Sequence, residues 1–73
     1  MRQIFLTRKL SVVDLTPIYA PREGIEFMWR GADWPLGRMD SRDEDRALDI
    51  AERIHREAEN EDQALAIFEE EMS

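Results

Sequence analysis

The chain contains no cysteine, and this absence excludes several kinds of structure and chemistry at once. Disulfide cross-links, thiol nucleophiles and cysteine-bound zinc sites are all impossible. A chain of 73 residues also buries only about 60% of the surface that its unfolded form exposes. We therefore expect one small domain of modest stability, formed by residues 1–73, in a reducing cytoplasmic compartment.

Long apolar runs are absent as well. The run of Ile4, Phe5 and Leu6 near the N-terminus is too short for a signal peptide. No segment approaches the roughly 20 apolar residues of a membrane-spanning helix. The sequence predicts a soluble protein without a membrane partner.

Signatures of catalysis and of metal binding are lacking too. His55 is the only histidine, and no nucleophile motif surrounds it, so we expect it to pack at the edge of a helix. Four acidic residues near position 42 have neither the glycine nor the terminal glutamate of a calcium-binding EF-hand loop. They are Asp40, Asp43, Glu44 and Asp45. We expect no enzyme activity, no metal and no cofactor.

Helical periodicity is the strongest pattern that is present, and it covers residues 41–73. Two apolar stripes recur at intervals of three and four residues. They consist of Ala47, Ile50, Ala51, Ile54 and Ala58, and then of Ala64, Leu65, Ile67, Phe68 and Met72.

The starts of these two helices carry capping signals. Ser41 with Glu44 forms a capping-box pattern, with Asp40 as a competing cap, and Asn60 with Gln63 forms a second cap. One continuous helix over residues 42–72 is the alternative. It would be about 45 Å long, which is too long for so small a core, so two helices are favoured.

The first half reads as strands. Residues 2–10 are typical of one strand, with Ile4 and Leu6 on the same face. Residues 11–16 form an edge strand or an irregular connection before Pro17. Pro21 and Gly24 predict a hairpin turn between a strand with Ile18 and Tyr19 and a strand over residues 25–30.

A second turn over residues 31–34 and a short strand over residues 36–39 complete this half. In the strand over residues 25–30, Ile25, Phe27 and Trp29 share the face that we assign to the core. Strands followed by helices indicate an α+β domain. We expect an antiparallel sheet of about three strands in residues 1–39, with both helices of residues 40–73 packed on one face.

Charge is distributed unevenly between the two halves. Residues 1–39 carry six basic and four acidic groups, whereas residues 40–73 carry four basic and thirteen acidic groups. Three basic residues lie among aromatic residues, a mixture that is typical of proteins that bind single-stranded nucleic acids. The basic residues are Arg22, Arg30 and Arg38, and the aromatic residues are Tyr19, Trp29 and Trp34. The net charge of +2 on residues 1–39 is small beside the −9 on residues 40–73, which argues against direct nucleic-acid binding.

Part of the acidic excess has a local explanation, because Asp49 with Arg53 and Glu52 with Arg56 have the four-residue spacing of helical ion pairs. Three consecutive glutamates have no such local explanation; they are Glu69, Glu70 and Glu71. Their negative charge lies at the negative end of the helix dipole, which is unfavourable. Either this last turn frays or a basic group meets it.

Trp34 lies in a turn beside Pro35, where it is either a lid folded over the core or an exposed interface anchor. We take it as a candidate binding residue together with the carboxylates of the corner between the helices and of the last turn. These carboxylates belong to Glu57, Glu59, Glu61, Asp62, Glu69, Glu70 and Glu71.

These features favour a small, non-enzymatic binding protein. Its acidic helical face would dock on a basic, nucleic-acid-binding surface of a larger protein, as a decoy or inhibitor that mimics DNA. Small acidic phage inhibitors of host nucleases follow the same physical logic, although no motif assigns the chain to them. The alternative is a structural or regulatory module that forms a homodimer through the open sheet face or through Leu65, Phe68 and Met72.

Overall fold

Four antiparallel strands form one sheet, and two helices pack on one of its faces. The structure is a computed structural model that describes residues 2–15 and 24–73. The strands are β1 (Arg2–Leu6), β2 (Leu10–Asp14), β3 (Ile25–Trp29) and β4 (Gly37–Met39), in the spatial order β1-β2-β3-β4. A short 3₁₀ turn (Ser41–Asp43) leads into α1 (Glu44–Glu57), which is followed by α2 (Glu61–Met72). The predicted α+β class is confirmed, with four strands in place of about three.

The additional strand arises from a tight turn at Thr7. The Thr7 hydroxyl oxygen accepts hydrogen bonds from the backbone N–H groups of Lys9 and Leu10, each at 3.1 Å. The Thr7 N–H also donates to the Leu10 carbonyl at 2.8 Å. These local bonds divert the backbone from a ladder. The prediction of one strand over residues 2–10 is therefore wrong, because the chain reverses between β1 and β2.

Strand β2 is central, not an edge strand. It pairs with β1 on one side and with β3 on the other, and its residues Leu10 and Val12 are fully buried. The prediction of an edge strand or an irregular segment was wrong, because it gave weight to Pro17. Pro17 lies outside the described residues, as do Ile18, Tyr19 and Pro21. Gly24, the last residue of the predicted turn and the one that is described, has a φ of +85°, a conformation that glycine adopts readily.

The two faces of the sheet differ in polarity. Ile25 and Phe27 of β3 are buried beneath the helices, with Trp29 partly buried beside them, whereas Glu26 and Met28 lie on the opposite, open face. A bulge in β1 breaks the simple alternation, so that Ile4 and Phe5 both pack against the core while Leu6 is exposed. Ile4 and Leu6 therefore do not share a buried face.

Side chains cap the 3₁₀ turn that precedes α1 and the start of α2, whereas the N-cap residue of α1 itself, Asp43, makes no side-chain cap bond. The Asp40 carboxylate accepts from the Arg42 N–H at 2.9 Å and starts the 3₁₀ turn, so Asp40 takes the role that the capping box assigned to Ser41. The second cap is confirmed, since Asn60 Oδ1 accepts from the Gln63 N–H at 2.9 Å. The helix break at this corner confirms two helices and excludes one continuous rod.

Lys9 closes the end of α1 from the opposite end of the sequence. Its ammonium group donates to the carbonyl oxygens of His55 at 3.0 Å and of Ala58 at 2.9 Å. The last carbonyls of a helix lack partners within the helix and carry its negative dipole end. The turn between β1 and β2 is thereby tied to the corner between the helices.

Phe68 sets the position of α2 over the sheet. Its ring packs edge-on against Phe27, with 4.9 Å between the ring centroids, and it lies directly above the backbone of Gly37. A glycine is needed there because a side chain on β4 would fill the space of the ring. Strand β4 and α2 thus close one side of the core, and α1 closes the other. The buried core consists of Leu10, Val12, Ile25, Phe27, Leu36, Met39, Ala47, Ile50, Ala51, Ile54, Ala58, Ala64, Ile67 and Phe68.

This contact predicts the effect of a single methyl group. Gly37→Ala places a Cβ atom inside the Phe68 ring, with Phe68 Cζ at 2.9 Å, and should destabilise the fold by about 1–3 kcal/mol. Urea unfolding followed by circular dichroism measures this change. In the double variant with Phe68→Leu, the combined loss should be smaller than the sum of the two single losses. Strict additivity would show that the two residues do not compete for the same space.

Candidate protein-binding surface

The charges of the two helices are sorted into two groups, of which the first is an ionic seam along the line where α1 meets α2. Arg53 is its centre, with Nη1 at 2.7 Å from Glu71 Oε2, Nη2 at 3.3 Å from Glu70 Oε1 and Nε at 3.4 Å from Glu57 Oε1. We call this group the ionic seam; its members are Arg46, Arg53, Arg56, Glu57, Glu70 and Glu71. It contains as many cations as carboxylates and is therefore neutral.

The seam explains two of the three consecutive glutamates. Their charge is met by arginines of α1, which lie beside the end of α2. A hydrogen bond from Arg53 to Glu71, assisted by Glu57 and by the charge of Glu70, raises the pKa of Arg53 above its usual value. Of the two alternatives for this last turn, the basic group is thus found, and it belongs to the same chain.

The end of α2 is helical through Met72 and is closed by hydrogen bonds to its last carbonyl groups. The Arg46 guanidinium donates to the Glu71 carbonyl oxygen, and the Ser73 hydroxyl donates to the Glu70 carbonyl oxygen at 2.9 Å. These bonds satisfy carbonyl groups that a helix terminus leaves unpaired. Of the predicted binding residues, Glu57, Glu70 and Glu71 consequently serve the packing of the two helices, which the sequence analysis did not foresee.

The second group of charges faces solvent. The predicted pairs of Asp49 with Arg53 and of Glu52 with Arg56 do not form, because both arginines pair with seam carboxylates instead. Within residues 44–72, which are all described, this leaves a set of exposed carboxylates with no ion pair, which we call the outer carboxylates: Asp45, Asp49, Glu52, Glu59, Glu61, Asp62 and Glu69.

The outer carboxylates of α1 form a row. Asp45, Asp49 and Glu52 recur at intervals of four and three residues, opposite to the buried stripe that contains Ile50 and Ile54. The sequence contained the signal for this row in its helical spacing. It was missed because the assumed four-residue ion pairs appeared to neutralise it.

The remaining predicted residues of this group lie at the corner and on α2. Glu59, Glu61 and Asp62 are exposed around the Asn60 cap, and Glu69 is exposed on the side of α2 away from the seam. Glu61 and Asp62 occupy the first turn of α2, where negative charge is favourable. The structure thus places Glu69 on a different side of α2 from Glu70 and Glu71.

Trp34 is exposed. Its relative exposure of 77% is incompatible with a lid over the core, so of the two interpretations only an exposed aromatic residue remains. It lies in the loop between β3 and β4, at the end of the sheet where Lys9 meets the corner between the helices. Exposed tryptophans are enriched among the residues that dominate protein interfaces.

Three of the candidates for catalysis and metal binding have structural partners: His55, Asp40 and Glu44. His55 is exposed, and its ring stands edge-on to Phe5 at 6.2 Å between centroids. Asp40 is bound by the Arg42 side chain, which lowers the pKa of that carboxyl, and Glu44 pairs with Arg2. In the part of the chain that the structure describes, no group of three His, Asp or Glu side chains has the arrangement of a metal site.

The basic and aromatic residues of the first half do not converge. Arg38 lies on the open sheet face beside Glu26, at 3.2 Å, whereas Trp29 packs on the helix face. Arg30 donates to the Thr7 carbonyl oxygen at 3.2 Å, and Arg22 and Tyr19 lie outside the described residues. The residues that are described therefore provide no basic surface with stacked aromatic rings.

Comparisons with known proteins add no relative. No protein-family model, no curated protein and no solved structure matches the chain. Among the helices of the described chain, none has both the length and the apolar character needed to cross a membrane. The charge arrangement is therefore the feature of the described residues that bears on function.

Two adjacent glutamates provide a test of the seam. Glu71→Gln should lower the urea midpoint of unfolding, because Arg53 and Arg46 lose a carboxylate partner. Glu69→Gln should leave the midpoint unchanged or raise it, because it removes an unpaired negative charge near the negative end of α2. The difference between the two variants should shrink in 1 M salt. Equal midpoints at low salt would show that the seam does not stabilise the helix pair.

A second pair of variants tests the placement of the tryptophans. Trp34→Ala should change the free energy of unfolding by no more than about 0.5 kcal/mol, because its ring is already in solvent. Trp29→Ala removes a ring that packs against the core, and we expect a loss of about 2 kcal/mol or more. Chemical denaturation measures both. A large loss for Trp34→Ala would mean that this ring packs on the protein after all.

Proposed function

We propose that the chain is a non-enzymatic binding protein that docks its acidic helical layer on a basic, nucleic-acid-binding surface of a larger protein. By occupying the lysines and arginines that would otherwise contact phosphates, it acts as an inhibitor or decoy. A phage-type inhibitor of a host nuclease system is an example of this mode of action. No cofactor is needed for it.

The orientation of the arginines is the observation that carries this proposal. Arg53 and Arg56 lie close enough to Asp49 and Glu52 in sequence to pair with them, yet they pair within the seam. The outward face of α1 is therefore left with carboxylates that repel one another. A partner that supplies positive charge relieves this repulsion.

The density of charge on α1 supports mimicry of a nucleic acid. Asp45, Asp49 and Glu52 span about 10 Å of helix, which is about 5 Å per charge along its axis. One strand of B-DNA carries a charge about every 3.4 Å. A protein groove that binds a phosphate row meets a comparable row of negative oxygen atoms on α1.

A homodimer is the second candidate, and the structure changes the surface on which it would rest. Phe68 is buried against Phe27 and Gly37, so of the three apolar α2 residues considered for dimerisation only Leu65 and Met72 are exposed. The open sheet face retains an exposed Leu6. Apolar association of this kind should hold or strengthen with salt, whereas docking by carboxylates should weaken.

The test of the proposed function combines salt, a charge variant and competition. A tagged full-length chain should capture its partner from the native host at low salt and release much of it at about 0.3 M salt, because added ions screen exposed charges. The variant with Asp45→Asn, Asp49→Asn and Glu52→Gln should capture it at least about tenfold less. A DNA or RNA oligonucleotide added in excess should displace the captured protein.

A matched control is Asp33→Asn, which removes an exposed carboxylate from the loop between β3 and β4. It should capture the partner as the unchanged chain does. Capture that is insensitive to salt and to the triple variant, or that an oligonucleotide does not compete with, would overturn the proposed function.

A further inference from the structure

A second row of residues lies along the side of α2 that faces away from α1. Four residues recur at intervals of three, four and three, and all four are exposed; they are Asp62, Leu65, Glu69 and Met72, here called the α2 stripe. Alternating steps of three and four residues place side chains along one line, as in the contact line of a coiled coil. Along this line carboxylates and apolar side chains alternate.

The α2 stripe belongs neither to the buried core nor to the ionic seam. The buried face of α2 consists of Ala64, Ile67 and Phe68, and its α1 side carries the seam residues Glu70 and Glu71. Leu65 and Met72 remain 37% and 45% exposed, although apolar residues at helical spacing are usually buried. Within the described chain, Asp62 and Glu69 have no ion pair.

Charge decides which occupant suits this stripe. Helix α2 contains no lysine and no arginine, so a second copy of α2 laid on the first would oppose carboxylates without any basic group between them. Each copy also carries a net charge of −7. Like charges held close together across an interface are unfavourable. A helix with an apolar line flanked by lysines or arginines complements both kinds of residue in the stripe.

We infer that the α2 stripe docks one basic amphipathic helix of a protein partner. Leu65 and Met72 insert between the apolar side chains of that helix, and Asp62 and Glu69 pair with its basic residues. This inference rests on the proposed function and names the element of the partner that is bound. The outer carboxylates of α1 lie outside this helix contact and add electrostatic attraction to the basic surface of the partner.

The dimensions of the stripe agree with this role. From Asp62 to Met72 the helix rises about 15 Å, which is nearly three turns of a partner helix packed at an axial distance of about 8–10 Å. Two apolar anchors on so short a line give a small interface, so the contact should be weak by itself. Electrostatic attraction from the neighbouring carboxylates is then needed for affinity.

The experiment uses the full chain and two synthetic peptides of about three heptads each. The first peptide is a helix with leucines along one line and lysines and arginines beside it. The second has the same composition, with the leucines spread around the helix. Amide chemical shifts of the isotope-labelled protein are followed during titration. The first peptide should bind at least about fivefold more tightly and should shift residues 62–72 most strongly.

Three variants localise the contact. Leu65→Gln and Met72→Gln should each weaken binding of the first peptide by about tenfold, because each removes an apolar anchor. Ala66→Gln is the matched control, since Ala66 is exposed on α2 outside the stripe, and it should leave the affinity unchanged. Circular dichroism establishes that all three variants keep their helices.

Other outcomes overturn the inference. They are equal affinity for the two peptides, no binding of either, and shifts centred on Asp45, Asp49 and Glu52. Sedimentation of the chain alone as a dimer that Leu65→Gln dissociates would assign the stripe to a second copy. None of these results changes the oligonucleotide competition that tests the proposed function, so the two can fail separately.

Discussion

The contact of Phe68 with Phe27 and Gly37 fixes the rotation of α2 about its own axis, and that rotation decides what each carboxylate of the helix meets. Once the ring is seated, Glu70 and Glu71 point toward the arginines of α1, while Glu69 points away. An apolar contact thereby controls the electrostatics of the surface. The absence of a side chain at Gly37 is the condition that allows it.

The ionic seam shows why exposed charge and functional charge need to be distinguished. Partly exposed ion pairs contribute little stability one by one. Here they neutralise Glu70 and Glu71 at the end of a helix. They also engage Arg53 and Arg56, which therefore do not pair with the carboxylates of the outer face. Packing of the helices and the negative outer surface are therefore two results of one arrangement. The proposed binding function depends on the second result.

Much of the fold follows from local patterns in the sequence. Features that depend on residues close together in the chain were predicted correctly from the sequence. They are the helical stripes, the cap at Asn60, the strand with Ile25 and Phe27, and the order of strands before helices. The Thr7 turn was missed because threonine is also common in strands. The ion pairs of Glu70 and Glu71 could not be predicted from the sequence, since they depend on how two helices are rotated against each other. The interpretation of Trp34 stayed open because the exposure of a loop residue depends on the tertiary fold.

The bond from Lys9 to the carbonyls of His55 and Ala58 has a consequence for folding. It joins residues 49 positions apart, so the end of α1 acquires its last partner only after the hairpin of β1 and β2 has docked. Opening of the corner between the helices and release of the hairpin are thus parts of one cooperative event. The corner should exchange its amide hydrogens together with the first hairpin, and not as an independently fraying helix end.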